Sequence, residues 1–265
     1  MSNGLLLTRL YEIFEYRDMI SSMVKRDLRG RYKGSFFGFL WNFFNPMVQI
    51  FVYIAVFGYI FRSSIPKFPL FLLVGVMPWN FFNESLCQGS GCVFSHGDMI
   101  KKIYFPREVL PLATVFSRFI NFLINYAIVF VILLAVRWPI NFINVLLYVP
   151  FVLLIMYIFT LAAVLILSSV NVYFRDVEYM TNVFMGVIFW LTPVMYQMDV
   201  VPGALKNIIS LNPMTPIVTA LQAVLYHNSL PTLASLLRAF GLSVLLLIVA
   251  ELIFIKLEKR FAEEM

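Results

Sequence analysis

The sequence predicts an all-α integral membrane protein with six transmembrane helices, and three observations support this prediction. First, 61% of the 265 residues are hydrophobic and only 13% are charged, whereas a soluble domain usually carries about 25% charged residues. Second, the apolar residues form continuous runs, which favours spanning helices over an outer-membrane barrel. Third, residues 36–61 contain no charged side chain, and a helix of that length covers ~39 Å, more than the ~30 Å of a bilayer core. A soluble enzyme and a disordered chain are therefore excluded.

Each predicted span ends at charged or helix-breaking residues. The first stops before Arg62, the third before Arg137 and the sixth before Lys256. The second span is strongly apolar in its first half, but its second half contains Glu84 and Gln88, so that half is expected to face protein or a cavity. The six predicted spans are 36–61, 68–93, 109–136, 142–170, 179–198 and 239–255.

The distribution of basic residues predicts that both termini are cytoplasmic. With the N-terminus inside, the cytoplasmic segments contain 14 Lys and Arg residues and the outer loops contain 4, when Arg118 and Arg238 are counted as membrane-edge residues. Cytoplasmic loops carry an excess of Lys and Arg, so this orientation is favoured. The same bias explains the net charge of +6 without nucleic-acid binding. The cytoplasmic segments are 1–35, 94–108, 171–178 and 256–265.

The N-terminal residues 1–35 predict an amphipathic helix at the membrane surface. Apolar side chains fall at helical spacing on one face, and basic side chains lie largely off that face. The basic side would contact anionic lipid headgroups. A helix that only anchors the chain is the alternative. The apolar positions are Ile13, Tyr16, Ile20, Met23, Val24 and Leu28.

The polar segment 94–107 predicts a short helix that projects from the membrane. Asp98 is a suitable capping residue, and Pro106 would end the helix. A docking site for a partner protein and a helix that lies on lipid fit this pattern equally well. The predicted apolar face consists of Met99, Ile100, Ile103 and Tyr104.

Residues 199–230 predict two short helices on the outer side. The apolar runs 200–211 and 214–226 are each too short to span, and Asn212 and Pro213 separate them. Such helices can dip back into the outer leaflet where protein shields their backbone. We therefore expect two re-entrant helices that form a partly buried extracellular cap.

The sequence contains no pattern typical of a catalytic or cofactor site. There is no GxxxxGK[ST], GxSxG or HExxH motif, so catalytic residues, a metal site and bound ATP are not expected on this chain. Cys87 and Cys92 do not form a CxxC motif. The Gly89-Ser90-Gly91 run indicates helix packing rather than dinucleotide binding.

A few side chains inside the predicted spans are candidates for the lining of a channel. Glu84 is an ionisable group in the interior half of a span, whereas Arg118 and Glu251 are interpreted as residues that snorkel to the cytoplasmic interface. Most aromatic residues of a membrane protein pack or form interface belts, but aromatic faces also stack on sugar rings. The candidates in the first and fifth spans are Tyr53, Phe57, Tyr59, Phe184, Trp190 and Tyr196.

Six motifs follow one another in order along nearly the whole chain. They are KRDLRGRYKGSFFGFLWN at 25–42 followed by Asn45-Pro46, PWNFF at 78–82, IKKIYFPRE at 100–108, NVYFRDV at 171–177, TPVMY at 192–196 and LNPM at 211–214. Together they resemble the motifs of the membrane-spanning subunit of ABC-2 type polysaccharide exporters. O-antigen exporters are most similar, teichoic-acid exporters are near relatives, and capsule exporters resemble the chain less.

The resemblance implies a homodimer of this chain in the bacterial inner membrane, with two copies of a separate ATPase that bind ATP and Mg. The cargo would be a glycan on an undecaprenyl-type lipid, moved through a channel at the dimer interface. The N-terminal helix would act as a gate, and the helices in 199–227 would close the channel outside. The implied coupling residues, which dock on the ATPase, are Asp98, Met99, Ile100, Lys101, Lys102, Ile103, Tyr104, Phe105 and Arg107.

A basic cluster precedes the first predicted span, where a lipid pyrophosphate would arrive. Arg29 and Arg31 are the residues we expect to attract it, because guanidinium groups bind phosphate oxygens bidentately. Positive-inside topology explains the cluster equally well. The cluster consists of Lys25, Arg26, Arg29, Arg31 and Lys33.

Other functions remain open from the sequence. An ABC-2 exporter of teichoic acid, capsule, small lipids or drugs would share the same architecture. A secondary carrier would work without ATP. A membrane-embedded transferase for polyprenyl-linked sugars would need acidic or histidine residues clustered at one membrane face, and the sequence does not predict such a cluster.

Overall fold

The computed structural model describes residues 9, 11–30, 41–60 and 65–264, and every regular element in this part of the chain is helical. A π-helical stretch, Ile54–Ile60, continues the second helix, and short 3-10 turns cover Phe94–His96 and Met198–Val200. The helices are α1 Arg17–Gly30, α2 Trp41–Tyr53, α3 Phe68–Ser90, α4 Gly97–Lys102, α5 Val109–Ala135, α6 Phe142–Tyr173, α7 Asp176–Trp190, α8 Gly203–Leu211, α9 Met214–Leu225, α10 Leu233–Glu258 and α11 Phe261–Glu264.

Helix α3 forms the centre of the bundle. It packs against α2, α5, α6, α7 and α9, and Phe71, Leu72 and Val74 have no exposed surface. Near its end, α3 approaches α6 so closely that a Cβ atom on Gly89 would lie 2.6 Å from a methyl carbon of Val164. The interpretation of Gly89-Ser90-Gly91 as a packing motif is therefore confirmed.

Four of the described helices, α3, α5, α6 and α10, are long and apolar enough to cross a membrane, and a fifth span results if α8 and α9 are counted together. Helix α7 has 15 residues and is shorter than the predicted span 179–198, because the chain turns before Pro193. The apolar part of the first predicted span, at 46–60, is also short, and residues 36–40 and 61 lie outside the described residues.

The last span is longer than the sequence predicts. Helix α10 begins at Leu233 rather than at 239 and includes Arg238. The Nε of Arg238 donates a hydrogen bond to the carbonyl of Ala234 at 3.1 Å, on the exposed side of the helix. The predicted boundary at 239 follows the charge of Arg238, but an exposed guanidinium does not interrupt a helix.

The predicted cytoplasmic segments meet at one end of the bundle, which we call the basic end. Arg26 Nη2 of α1 lies 3.2 Å from His96 Nε2, and Tyr173 donates a hydrogen bond to the carbonyl of Leu257 at 2.7 Å. The first contact joins the N-terminal helix to the loop after α3, and the second joins the end of α6 to the end of α10. The basic end consists of α1 and residues 94–107, 171–178 and 256–264.

The remaining connections meet at the opposite end. The indole nitrogen of Trp138 donates to the carbonyl of Tyr226 at 2.9 Å, and the two rings stack with centroids 5.2 Å apart. The side-chain oxygen of Asn228 accepts from the backbone nitrogen of Asn141 at 3.0 Å. The loops after α5 and α9 are therefore held together at this end.

Two short helices occupy the predicted extracellular segment, as expected. Helices α8 and α9 are bent by 101° relative to each other. Asn212 stabilises the bend, because its side-chain oxygen accepts from the backbone nitrogen of Met214 at 3.0 Å and its amide nitrogen donates to Thr192 Oγ1 at 2.8 Å. Helix α9 is largely buried against α3 and α6, whereas α8 is exposed. Their position in the outer leaflet stays a prediction.

Candidate functional site

The coupling segment, residues 97–107, contains a shorter helix than the sequence predicts. Helix α4 ends at Lys102, and Ile103 has extended backbone angles of φ −131° and ψ 135°. Asp98 lies in the first turn of α4, but its side chain does not cap the helix. The prediction of a helix that continues to Pro106 was wrong. The residue before a proline disfavours the helical conformation, and the extended chain allows Phe105 to enter the core.

The extended chain divides the predicted apolar face in two. Ile100 and Phe105 are buried, whereas the side chains of Ile103 and Tyr104 are 60% and 86% exposed. Lys101 and Lys102 are exposed as well, and Met99 is half-buried. Two buried anchors therefore hold an exposed strip, residues 101–104, at the basic end. Ile103 and Tyr104 thus form an exposed apolar pair directly after two exposed lysines, and this strip is the candidate contact surface.

Arg107 ties the coupling segment to the C-terminal end of α10. Its guanidinium donates a hydrogen bond to the backbone carbonyl of Glu258 and lies 5.7 Å from the ring centroid of Phe261. Arg107 therefore positions the exposed strip rather than belonging to it. The sequence did not indicate this contact, since the two residues are 151 positions apart.

A second set of charges lies beside this contact. Arg9 forms an ion pair with Glu258 and lies 3.8 Å from the carboxylate of Glu108. Burial raises the pKa of Glu108, because desolvation disfavours its charged form. Arg9 thereby joins the N-terminal segment electrostatically to Glu108, directly after the coupling segment, and to the end of α10.

The predicted gate residues lie on the exposed side of α1, as their spacing indicates. Lys25, Arg26 and Arg29 are exposed, whereas Arg31 and Lys33 lie outside the described residues. The opposite face of α1 packs against α5, where Val24 is buried. A cavity of about 430 Å³ lies at this interface. It is lined by Met23, Arg26, Asp27, Gly30, Gln88, His96, Ala113, Thr114 and Arg118.

Glu84 does not stand alone in the interior of the bundle. The Nη1 atom of Arg118 lies 3.1 Å from Glu84 Oε2, and Arg118 is only 9% exposed. Arg118 also lines the cavity beside α1 at the basic end, in agreement with its predicted place near that interface, but the sequence did not indicate that its guanidinium pairs with a counter-ion on α3. Asn121 and Asn125 of α5 are also buried; sequence reasoning missed them, although they follow Arg118 at helical spacing.

These polar residues surround a cavity of about 100 Å³ between α2, α3 and α5, which we call the polar cleft. The amide nitrogen of Asn80 donates to Gln49 Oε1 of α2 at 3.2 Å, and Gln49 donates in turn to Tyr53 at 2.8 Å. The cleft is lined by Trp41, Pro46, Met77, Asn80, Phe81, Glu84, Arg118, Asn121, Phe122 and Asn125.

The aromatic candidates separate into two groups. Tyr53 of α2 stacks on Phe189 of α7 with centroids 5.9 Å apart, and Phe189 contacts Trp190 at 5.5 Å. The hydroxyl of Tyr196 donates to the carbonyl of Trp190 at 3.0 Å. Phe189, which the sequence did not indicate, therefore links Tyr53 to Trp190, and Tyr196 contacts the backbone of Trp190.

The other aromatic candidates lie elsewhere. Phe184 lines an apolar groove of about 450 Å³ formed by α3, α6, α7 and α10, so it does not share a cavity with Glu84. Tyr59 is 80% exposed, and Phe57 packs against the core. The six aromatic candidates and Glu84 thus do not form one continuous surface within a single chain.

Comparison with known proteins agrees with this architecture. A model of the ABC-2 type transporter family matches residues 19–226. The O-antigen export system permease protein RfbA of Myxococcus xanthus is 36% identical over 95% of this chain and 97% of its own length. A protein of the same name from Klebsiella pneumoniae is 31% identical over 93% and 94%. The polysialic acid transport protein KpsM of Escherichia coli is 25% identical over 45% of each chain. The helical membrane architecture and the family match together show that this chain belongs to the ABC-2 type transporter family.

Proposed function

We propose that this chain is the permease subunit of an ATP-driven exporter that moves polysaccharide of the O-antigen type, linked to an undecaprenyl-type lipid, across the bacterial inner membrane. The observation that supports this most strongly is the 36% identity to an O-antigen export permease over nearly the full length of both chains. Similarity over the whole length includes the coupling segment, the polar cleft and the α8–α9 pair, so it is not confined to one packing motif.

The proposed energy source is a separate ATPase. The sequence has no GxxxxGK[ST] motif, and members of this family are membrane subunits, so ATP and Mg are assigned to a partner. In the proposed complex, two copies of this chain form a homodimer and bind two ATPase copies. The exposed strip at 101–104 is the proposed docking surface, since Ile103 and Tyr104 are exposed apolar side chains on a segment that Arg107 ties to the end of α10.

The proposed cargo path lies at the homodimer interface. Both termini and the basic end would face the cytoplasm, where the exposed guanidinium groups of α1 would attract the lipid pyrophosphate. The α8–α9 pair would close the path on the outer side. The proposed lining residues are Tyr53, Phe57, Tyr59, Glu84, Phe184, Trp190 and Tyr196.

A capsule-type polysaccharide is a second candidate cargo. It is favoured by the similarity to the polysialic acid transport protein, which covers 45% of this chain. The capsule-type cargo ranks second because the identity to the O-antigen export permeases is higher and covers more of this chain.

Purification in gentle detergent with the partner ATPase tests the proposal. The wild-type chain should bring down a stoichiometric protein with a P-loop, and lipid-linked glycan should stimulate its ATPase activity. Tyr104→Glu should abolish this association, because it places a charge in the middle of an exposed apolar contact. Tyr11→Glu is the matched control, since Tyr11 is 66% exposed and lies two residues after Arg9, which pairs with Glu258 at the basic end, but it is outside the coupling segment.

Two results would contradict the proposal. In one, the wild-type chain purifies alone, even after crosslinking through Lys101 and Lys102; the exporter would then lack an energy source, and a secondary carrier would be favoured. In the other, small lipids or drugs stimulate the ATPase and lipid-linked glycan does not.

A further inference from the structure

The polar cleft is an unusual feature for the interior of a membrane protein. It contains a carboxylate, a guanidinium and three carboxamides, from Glu84, Arg118, Asn80, Asn121 and Asn125. Polar and ionisable groups are costly inside a membrane, and where they occur they usually mark a path for substrate. The ion pair alone could be explained by helix packing, but the three amides around it are not needed to neutralise it.

The amides and charges form two facing rows. Arg118, Asn121 and Asn125 occupy positions i, i+3 and i+7 of α5, so they lie on one side of that helix. Asn80 and Glu84 are separated by one turn of α3 and face the first row across the cavity. Because both rows lie along the cleft, a guest would meet hydrogen-bonding groups on two sides.

The remaining wall of the cleft is apolar and partly aromatic. It includes Trp41 and Pro46 of α2, Phe81 of α3 and Phe122 of α5. Trp41 is 41% exposed, so part of its indole surface is accessible. A ring with hydroxyl groups at its edge and C–H bonds on its faces matches this combination of polar and aromatic walls.

The hydrogen-bonding capacity of the cleft is not filled by the protein. Among the described residues, the Nε of Arg118 and the Oδ1 of Asn125 have no hydrogen-bond partner although both are buried. An unsatisfied buried donor or acceptor is unfavourable, so the cluster can accept additional partners. One of these atoms is a donor and the other an acceptor, and a hydroxyl group can serve both roles.

We propose that the polar cleft holds the hydroxyl-bearing edge of one uncharged sugar unit of the glycan as it passes. This inference rests on the proposed function and adds a location and a charge preference for the cargo. The cavity of about 100 Å³ is below the ~300–1,000 Å³ of typical small-molecule pockets, so it accommodates part of a ring and not a whole oligosaccharide. A shallow site of this kind holds cargo weakly enough to release it, as transport requires.

The charges of the cleft favour a neutral guest. Glu84 and Arg118 compensate each other at 3.1 Å, so the lining has no net charge. The carboxylate of Glu84 is the more accessible of the two, with 46% of its side chain exposed against 9% for Arg118. A phosphate or carboxylate that approaches the cleft would therefore meet a like charge first, whereas a sugar hydroxyl can donate to that carboxylate.

The test uses the full complex with its ATPase, reconstituted in proteoliposomes. The probes are two lipid-linked oligosaccharides of equal length, one of neutral hexoses and one of sialic acid, and the readout is the concentration that half-saturates ATPase stimulation. Asn125→Leu should raise this concentration for the neutral probe about tenfold, which corresponds to ~1.4 kcal/mol. Asn144→Leu, the same exchange in the first turn of α6 and outside the cleft, should leave this concentration unchanged.

Glu84→Gln provides an independent measurement, because it makes the cleft net positive. In the Glu84→Gln complex, the concentration of the sialic acid probe that half-saturates ATPase stimulation should fall relative to the half-saturating concentration of the neutral probe. If Asn125→Leu does not purify as a stable complex, Asn125→Ala replaces it, since alanine removes the amide and its smaller side chain cannot clash with the walls of the cleft.

Two outcomes would overturn the inference while leaving the proposed function intact. In the first, Asn125→Leu or Asn125→Ala behaves like Asn144→Leu with the neutral probe. In the second, the wild-type complex responds equally to both probes and Glu84→Gln does not change their ratio. Failure of the proposed function is recognisable separately, because neither glycan would then stimulate the wild-type complex.

Discussion

Gly89 offers the sharpest test of the packing at the centre of the bundle. A Cβ atom at this position would lie 2.6 Å and 2.9 Å from the two methyl carbons of Val164, about 1 Å closer than ordinary van der Waals contact. Val164 is fully buried, and a valine in a helix has one strongly preferred rotamer. The side chain cannot turn away, so Gly89→Ala must force α3 and α6 apart.

The expected cost follows from this geometry. Overpacking of a well-packed core by one methyl group costs about 1–3 kcal/mol. For a chain of this size, each kcal/mol lowers the melting temperature by roughly 2–4 °C, so the melting temperature of the detergent-purified protein should fall by several degrees. The measurement is the loss of the monodisperse peak in size-exclusion chromatography after heating.

Two further variants make the reasoning refutable. Gly186→Ala is the matched control, because nothing lies within 4 Å of its added Cβ, and it should be neutral or slightly stabilising. Val164→Ala removes the obstructing methyl groups, so in combination with Gly89→Ala it should recover part of the loss. The argument fails if Gly89→Ala melts like Gly186→Ala, or if the effects of the two substitutions simply add.

Three other predictions concern charged groups. Glu84→Gln should lower the melting temperature, because it leaves the buried guanidinium of Arg118 without this counter-ion, at a cost of about 1–3 kcal/mol. Adding Arg118→Met should restore part of the lost stability, because the unpaired charge is then removed. Strictly additive losses in the double variant would refute the coupling between the two residues. Burial raises the pKa of Glu108 above its ordinary value of 4.5, so folding favours the protonated form of this carboxyl and wild-type stability should decrease as the pH rises above 4.5. Glu108→Gln should flatten this dependence in melting curves, and an unchanged slope would contradict the assignment. Arg107→Gln removes the hydrogen bond to the Glu258 carbonyl and should increase hydrogen exchange at the end of α10, which is checked by mass spectrometry against wild type.

The helices were predictable because the signals that define them are local. Continuous apolar runs predicted α3, α5, α6 and α10, and the Asn212-Pro213 break predicted two short helices in place of one. The boundaries were less predictable. The charge of Arg238 predicts the boundary of a span that in fact begins at Leu233, and Pro106 predicts the end of a helix that in fact ends at Lys102. At Pro106 the burial of Phe105 favours an extended chain, whereas at Arg238 the exposed guanidinium leaves the helix uninterrupted.

The candidate site was predicted only in part, for a related reason. Glu84 was identified because a single carboxylate in an apolar run is visible in the sequence. Its partner Arg118 was not, because residues 34 positions apart become neighbours only when two helices pack. The row of Arg118, Asn121 and Asn125 had a detectable helical spacing, but the sequence does not show which face of α5 is turned toward α3.

The sequence by itself determined that this chain is a helical membrane protein, which segments are apolar and which family its motifs resemble, since these follow from composition, periodicity and residue order. Tertiary structure alone decided that Arg118 pairs with Glu84, that the strip at 101–104 is exposed between two buried anchors, and that Phe184 and Glu84 line different cavities. The physical reason is that hydrophobicity acts along each segment, whereas hydrogen bonds, ion pairs and cavities require the specific rotation and contact of packed helices.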